Sequence, residues 1–451
     1  MKVSVVGLGK LGAPLVAVLA SKGLSVYGID VNPATVAQIN AGHAPVQEPC
    51  LQEFLTANRP RIRATTDWAT VIGETEITYV IVPTPSGADG AFKNDHVLAA
   101  IEEIGRVLAH KQGYHLVVIN STTMPGSVGG PIRDRLEVIS SKRVGNEIGL
   151  CYNSEFIALG NVIEGLLRPD FVLIGESDAR AGGLLEEICR RIVGPSVPVC
   201  RMNFVNAELT KISVNTYVTT KISFANMLSE ICDKLSGADA DVITAAIGRD
   251  ERIGLKYLRG ATGYGGPCFP RDTIAFSTMA KRLGVDASLA AATHVINERQ
   301  VERLVTIIAE HTEPDDRVAV LGLSYKPDTD VVERSQGVML AAALGRIGRA
   351  VVAHDPLAIG PARAALGPGV SFAASPEEAV ASAAAVVVMV PWPEYRNFFA
   401  LWPGGEHTNL IVDCWRLLTG APCGARIRVV QLGNNEYLTA AGMAAAVDAA
   451  E

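Results

Sequence analysis

Short runs of valine and isoleucine alternate with helix-length segments rich in alanine and leucine, and this alternation occurs twice along the chain. It is the pattern of βαβ units, in which each buried parallel strand is followed by a helix that returns over the sheet. The first series includes residues 3–6, 25–29, 78–82, 115–120 and 171–174; the second includes 317–321, 350–353, 385–390, 409–412 and 427–432. Both order their features alike: a strand entering glycine, a helix, then a strand ending in an acid before a proline, Asp30-Val31-Asn32-Pro33 early and Asp355-Pro356 late. At 451 residues the chain is too long for a single core, so two or three domains are expected.

Between the two series, residues 206–235 lack glycine and proline and place Leu209, Ile212, Tyr217, Ile222 and Leu228 at helical spacing. A long connecting helix is predicted there. Residues 239–297 read as helical except for 260–272, where glycine and proline concentrate in a loop. The fold class expected is α/β, two Rossmann-like parallel-sheet domains joined by a long central helix and a small helical middle domain.

Gly7-Leu8-Gly9-Lys10-Leu11-Gly12 follows the first strand and opens an apolar helix. Gly7, Gly9 and Gly12 allow a tight turn, a close approach of backbone to pyrophosphate, and close packing of helix on strand; Leu11 lies in the same turn. The second strand ends at Asp30, where a carboxylate can accept from both ribose hydroxyls. Asp30 repels a 2′-phosphate, and Val31 and Asn32 offer no arginine to receive one, so NAD is expected rather than NADP. Pro83-Thr84-Pro85 and Asn120-Ser121-Thr122-Thr123 stand at the ends of later strands, where open α/β sheets bind ligands. Pro83, Thr84 and Thr122 join the expected cofactor set.

The net charge of −7 and pI of about 5.7 leave no broad basic surface, so a nucleic-acid partner is not expected. No apolar run approaches a membrane span, and Met1 to Val6 runs into a strand without the basic leader and apolar core of a secretory signal. The eight cysteines are scattered, with no CxxC pair to indicate zinc, and a reducing, cytoplasmic setting is expected. Most should be small buried hydrophobes. Cys268 differs: Gly263-Tyr264-Gly265-Gly266-Pro267-Cys268-Phe269-Pro270-Arg271-Asp272 sets a thiol in a glycine-rich segment with a cation and a carboxylate just beyond. A nearby cation favours the thiolate, which is the reactive form. The plain alternative is a buried cysteine in a structured loop.

This segment resembles the active-site loop of the UDP-glucose/GDP-mannose dehydrogenase family, whose usual form is GGxCFxKD or GGxCLPKD. Other segments agree in order and spacing across essentially the whole chain. Ala207-Glu208-Leu209-Thr210-Lys211 through Asn215 to Lys221-Ile222-Ser223-Phe224 is similar to the family's AELxK, N and KISF helix. Asn153-Ser154-Glu155-Phe156 is similar to its NPEF, Arg168-Pro169-Asp170 with Ile174-Gly175 to its xPDxxxIG, and Gly322-Leu323-Ser324-Tyr325-Lys326-Pro327-Asp328-Thr329-Asp330 to its GLxFKPxTDD.

The resemblance implies an NAD-binding domain over 1–200, a central helical dimerisation domain carrying the cysteine loop over 201–300, and a nucleotide-sugar domain over 301–451. It implies a four-electron oxidation of a sugar C6 alcohol to a carboxylate, with Cys268 holding the intermediate as thiohemiacetal and then thioester. Lys211 and Asn215, four apart on one helix face, would stabilise alkoxide and oxyanion. Asp272 would act as base or water-orienting carboxylate, and Thr122 and Glu155 would assist the attacking water. Substrate contacts would come from Glu155, Phe156, Lys211, Asn215, Tyr257, Gly265, Phe269, Lys326 and Arg416, with Arg252 reaching the site of a neighbouring subunit in a homodimer.

Phe269, where GDP-mannose members usually carry leucine, favours UDP-glucose over GDP-mannose or a UDP-N-acetylhexosamine. The chain departs from the family pattern at Arg271 in place of lysine, at Leu159 in place of a cofactor-side carboxylate, and at Glu333 in place of an arginine, with Arg334 next to it. Two other readings compete: a two-electron hydroxyacid dehydrogenase, which needs one NAD per turnover and no cysteine, and a non-catalytic sensor of NAD or nucleotide sugar.

Overall fold

The computed structural model describes residues 1–402, 404–418 and 427–435; Cys423, expected to be a buried thiol, lies outside them. The chain divides into two compact units, Met1–Val214 and Asn215–Glu451. The division falls inside the longest helix, Phe204–Cys232.

The N-terminal unit is built on β1 (Lys2–Val6), β2 (Ser25–Ile29), β3 (Ile62–Thr65), β4 (Ile77–Val80), β5 (His115–Ile119), β6 (Ile148–Tyr152), β7 (Val172–Glu176) and β8 (Val199–Met202). They form one sheet in the order β3-β2-β1-β4-β5-β6-β7-β8. The first six run parallel. β7 then pairs antiparallel with β6, and β8 follows β7 in parallel, a reversal that the sequence pattern did not show. The interior strands are apolar on both faces because helices cover both sides of a parallel sheet: every residue of β4, β5 and β6 is buried. Two core clusters result, one centred on the Gly12–Ser21 helix and the other on Val97, Ile101 and Ile104 of the Asp95–His110 helix.

The C-terminal unit repeats the design. β9 (Val318–Leu321), β10 (Val351–His354), β11 (Ser371–Phe372), β12 (Ala385–Val388), β13 (Leu410–Asp413) and β14 (Arg428–Gln431) form a parallel sheet in the order β11-β10-β9-β12-β13-β14. That is the strand order of β1 to β6. In both sheets the order of strand addition switches sides at the first strand, and ligands of doubly wound sheets bind at the crevice such a switch opens. This unit also carries the Ala240–Ile247, Phe269–Arg282 and Ser288–Ala309 helices. The last of these sends Val301, Leu304 and Ile308 into the sheet core.

The glycine turn is repeated too. Gly7 N–H donates to the Ile29 carbonyl at 2.8 Å, and Gly322 N–H to the His354 carbonyl at 2.8 Å. A Cβ on Gly12 would run into the Gly7 carbonyl oxygen, as one on Gly337 would run into that of Gly322. The spacing differs: the second turn holds ten more residues between its two glycines than the first. The carboxylate after it is also fully used. Asp355, 1% exposed, accepts from the N–H groups of Leu323, Ser324, Leu357 and Ala358, from the Ser324 hydroxyl and from the Trp392 indole. The second turn has thus been filled by its own chain.

Candidate active site

In the N-terminal unit the space ahead of the Gly12–Ser21 helix is open. Gly9 is exposed, and a Cβ there would meet nothing within 4 Å. Asp30 accepts from Leu8 N–H at 2.7 Å and Asn32 N–H at 2.8 Å, which orients its carboxylate while leaving lone pairs for ribose hydroxyls. Leu11 and Pro83 are exposed beside this turn. Thr84 is buried, its hydroxyl donating to the Thr122 carbonyl at 2.7 Å, so the ends of β4 and β5 are tied together. A glycine turn, an open helix N-terminus and an oriented ribose carboxylate fit NAD.

Next to Thr122 is a chain of polar groups. The hydroxyls of Thr122 and Ser154 lie 3.3 Å apart. Asn120 donates through Nδ2 to the Asn153 carbonyl and to Glu155 Oε1, each at 2.7 Å. Glu155 as a whole is only partly buried, yet its carboxyl end is enclosed, and desolvation pushes its pKa up to about 7 against the lowering effects of Lys211 and Asn120. A carboxyl group poised at neutrality can take or give a proton under working conditions. Lys211, 6% exposed, donates to the Glu155 carbonyl at 2.6 Å and stands 4.8 Å from the centre of the Phe156 ring. Its charge is thereby held by carbonyl and aromatic face.

As a helical glutamate, Glu208 is by default expected to be solvated. It is fully buried and accepts from the Thr123 hydroxyl, Gly126 N–H and Val128 N–H at 2.7 to 2.9 Å. Desolvation raises its pKa, opposed by those donors. It anchors the start of the Phe204–Cys232 helix, and so Lys211, to the loop that carries Thr122.

In the C-terminal unit Cys268 is an exposed, reduced cysteine at the N-cap of the Phe269–Arg282 helix. The irregular segment is longer than 260–272 on one side and shorter on the other: it begins after Ala240–Ile247 and ends at Cys268. Asp272 therefore sits in the first helical turn, with its N–H on the Cys268 carbonyl at 2.8 Å. It is wholly buried, accepting from Asn215 Nδ2 at 2.7 Å and from Arg271 Nη2 at 3.2 Å. Arg271 thus pairs with the carboxylate next to it.

The preceding loop packs against the residues inserted after Gly322. A Cβ on Gly265 would strike the Arg334 carbonyl, and one on Gly266, at φ +82°, would lie 2.7 Å from the Tyr325 ring. Gly266 N–H donates to the Glu333 carbonyl at 2.9 Å. At Glu333 the contact made is therefore through the main chain, which explains how a changed side chain is accommodated there. Leu159 packs against the N-terminal core, and the following Gly160 and Val162 N–H groups are held by the Glu48 carboxylate at 2.8 and 2.7 Å.

Phe269 makes edge contacts with Tyr257 and Tyr264, at 6.1 and 6.4 Å between ring centres. Tyr257 is exposed at φ 63°. Lys326 is half-buried within the inserted segment. Arg252 lies on the surface, bonded to Asp250 at 2.9 Å through Nε. Arg416 is nearly buried and engaged by Asp239 at 2.6 Å and the Leu432 carbonyl at 3.1 Å, ties that dock the end of β14 onto the helical region.

An α/β chain with an NAD turn, an enclosed carboxyl group whose pKa is raised to about 7 and an exposed thiol at a helix N-terminus has the parts of a nicotinamide-dependent oxidoreductase. Residues 1–193 match the NAD binding domain of the UDP-glucose/GDP-mannose dehydrogenase family, 205–299 its central domain and 319–420 its UDP binding domain. A UDP-glucose 6-dehydrogenase of Haloferax volcanii is 36% identical over 93% of this chain and 97% of its own. A GDP-mannose 6-dehydrogenase of Pseudomonas syringae pv. tomato is 32% identical over 76% of this chain and 78% of its own. The solved UDP-glucose dehydrogenase of Pyrobaculum islandicum superposes with a TM-score of 0.88 at 30% identity, covering 96% of this chain and 98% of that one. The chain belongs to the UDP-glucose/GDP-mannose dehydrogenase family, and its cofactor is NAD.

Proposed function

We propose that the protein oxidises the C6 hydroxymethyl group of UDP-glucose to the carboxylate of UDP-glucuronate, with Cys268 carrying the intermediate. The observation that carries this reading is Cys268 itself, an exposed thiol at the head of a helix whose first turn also holds the buried, Asn215-bonded Asp272. The positive end of the helix dipole at Cys268 favours the sulfur as thiolate.

NAD, when bound, accepts the hydride in each of the two oxidations. Lys211 and Asn215, one turn apart on the Phe204–Cys232 helix, supply the ammonium and amide that stabilise the alkoxide as the alcohol becomes an aldehyde. The Cys268 thiolate adds to the aldehyde carbon to form a thiohemiacetal. The second hydride loss turns this into a thioester. Glu155, with the Thr122 hydroxyl, takes the proton of the attacking water, Asp272 helps to orient that water, and hydrolysis returns the thiolate. Alcohol, water and two NAD⁺ become carboxylate, two NADH and three protons, a hard step divided into easier ones.

UDP-glucose is preferred over GDP-mannose because the Haloferax relative and the Pyrobaculum structure both bear that activity in their names and because of Phe269. Phe156, Tyr257, Gly265, Lys326 and Arg416 complete the proposed sugar and nucleotide contacts. A homodimer suits the Phe204–Cys232 helix, where Tyr217, Phe224, Met227 and Ile231, 38 to 62% exposed, form one apolar stripe at coiled-coil spacing. Arg252 would then serve the partner's site. A reducing cytoplasm suits a mechanism that needs the Cys268 sulfur reduced; among the described residues no helix is long and apolar enough to cross a membrane.

The test is a panel of UDP-glucose, UDP-galactose, GDP-mannose and UDP-N-acetylhexosamines scored for NADH released per sugar consumed. Two NADH per UDP-glucose is expected. One NADH with a stable carbonyl product would contradict the mechanism, and a higher kcat/KM for another sugar would replace the substrate.

A further inference from the structure

Residues 260–266, which lead to Cys268, are all buried although they belong to no helix or strand. A buried irregular segment has no ladder of its own, so its N–H and C=O groups must be met from outside. Two asparagine side chains on different helices meet them. Asn226, on Phe204–Cys232 and fully buried, accepts from Ala261 N–H at 2.9 Å and donates to the Thr262 carbonyl at 3.2 Å. Asn297, on Ser288–Ala309 and 2% exposed, accepts from Tyr264 N–H at 2.7 Å and donates to the Tyr264 carbonyl at 3.1 Å.

Each amide offers one acceptor and a donor on the same rigid plane, so it grips the backbone at two points and resists rotation as a neighbouring strand would. The residue between the two grips is Gly263, where a Cβ would lie 2.7 Å from Asn297 Oδ1. A larger residue would prevent the second grip from closing. Two residues beyond the second grip, Gly266 N–H is fixed on the Glu333 carbonyl, and the chain then emerges at Cys268.

We propose that Asn226 and Asn297 are positioning residues for catalysis, a pair of two-point backbone clamps that fix the direction in which the loop delivers Cys268 to the head of its helix. Neither touches the sulfur; both act through the loop. The proposal rests on the reading of Cys268 as the nucleophile, and a misplacement of about 1 Å in such a group costs roughly 100-fold in rate. A purely structural role would lower stability and leave the chemistry of the sulfur alone.

The test uses the full-length enzyme carrying Asn226→Ser or Asn297→Ser, with Asn226→Gln and Asn297→Gln, which keep the amide but displace it by one methylene, in case the serine variants do not fold. Three quantities are read on folded protein: kcat and KM separately, the pH profile of Cys268 alkylation by iodoacetamide, and the melting temperature. The expected result is a kcat lower by about 100-fold with KM changed by less than about threefold, together with a displaced alkylation profile. Wild-type kcat and a wild-type alkylation profile would overturn the proposal, whatever happens to the melting temperature. Alkylation needs no turnover, so it reports on the clamps even if Cys268→Ala retains activity. That separate result would remove the nucleophile assignment.

Discussion

Asn120 donates through Nδ2 to Glu155 Oε1 at 2.7 Å while the same nitrogen reaches the Asn153 carbonyl. A carboxyl group whose pKa burial has pushed up to about 7 is thus aimed by an amide whose hydrogen bond opposes that rise. Acting as a base, Glu155 must be ionised, so kcat should fall as pH drops through about 7. Asn120→Ala removes a group that favours the ionised form, and the midpoint of this limb should move to higher pH. A pH profile of kcat for the two proteins checks it; an unmoved or lowered midpoint would count against Glu155 as the base.

His115 is 1% exposed, and burial, aided by Lys111, holds its pKa down to about 3. Its Nδ1 lies 3.0 Å from the Lys111 ammonium and its Nε2 2.8 Å from the Thr78 hydroxyl, so the folded protein keeps it neutral. The unfolded chain binds its proton near pH 6.5. Stability from this group is therefore present above about 6.5 and lost as pH falls towards 3, at up to about 1.4 kcal/mol per pH unit. Urea unfolding at pH 7.5 and pH 5 should show a smaller loss for His115→Gln than for the parent.

Two glycines of one turn should separate folding from binding. Gly9→Ala adds a methyl group that meets nothing in the protein, so the melting temperature should hold while NAD affinity falls, because the methyl group occupies the approach of the pyrophosphate. Gly12→Ala drives a Cβ into the Gly7 carbonyl and should lower stability as well. Calorimetric titration with NAD alongside thermal melts distinguishes the two.

Asn215→Asp would set a second carboxylate against the buried Asp272, now 2.7 Å from the Asn215 amide. Replacing a donor by a like charge in a buried pair should cost about 2–4 kcal/mol. Urea denaturation measures this, and the loss should shrink at low pH as one carboxylate takes a proton.

The parts of this design that depend on local pattern were legible in the sequence. The alternation of strands and helices, the Gly7 to Asp30 turn and the helix expected at 206–235 and found at Phe204–Cys232 all follow from spacing. The parts that depend on distant partners were not. The segment after Ala240–Ile247 kept an apolar spacing that reads as helical, yet Gly254 and Tyr257 take φ of 71° and 63°, which no helix allows. Pro270 reads as a loop residue, whereas in the first helical turn, where its missing N–H costs nothing, it moved Asp272 from loop to helix. Glu208 looks like a surface charge until Gly126 and Val128, about 80 residues away in sequence, are brought beside it, and the pairing of Arg416, expected to be a substrate contact, with Asp239 has no local signal.

The central claim is that the sugar is bonded to Cys268 during turnover. If Glu155 activates the hydrolytic water, Glu155→Gln supplied with NAD and UDP-glucose should accumulate the thioester, and intact-protein and peptide mass spectrometry should find a UDP-glucuronyl adduct on the peptide containing Cys268. Protein that releases NADH but carries no adduct there, or carries it on another residue, would contradict the account.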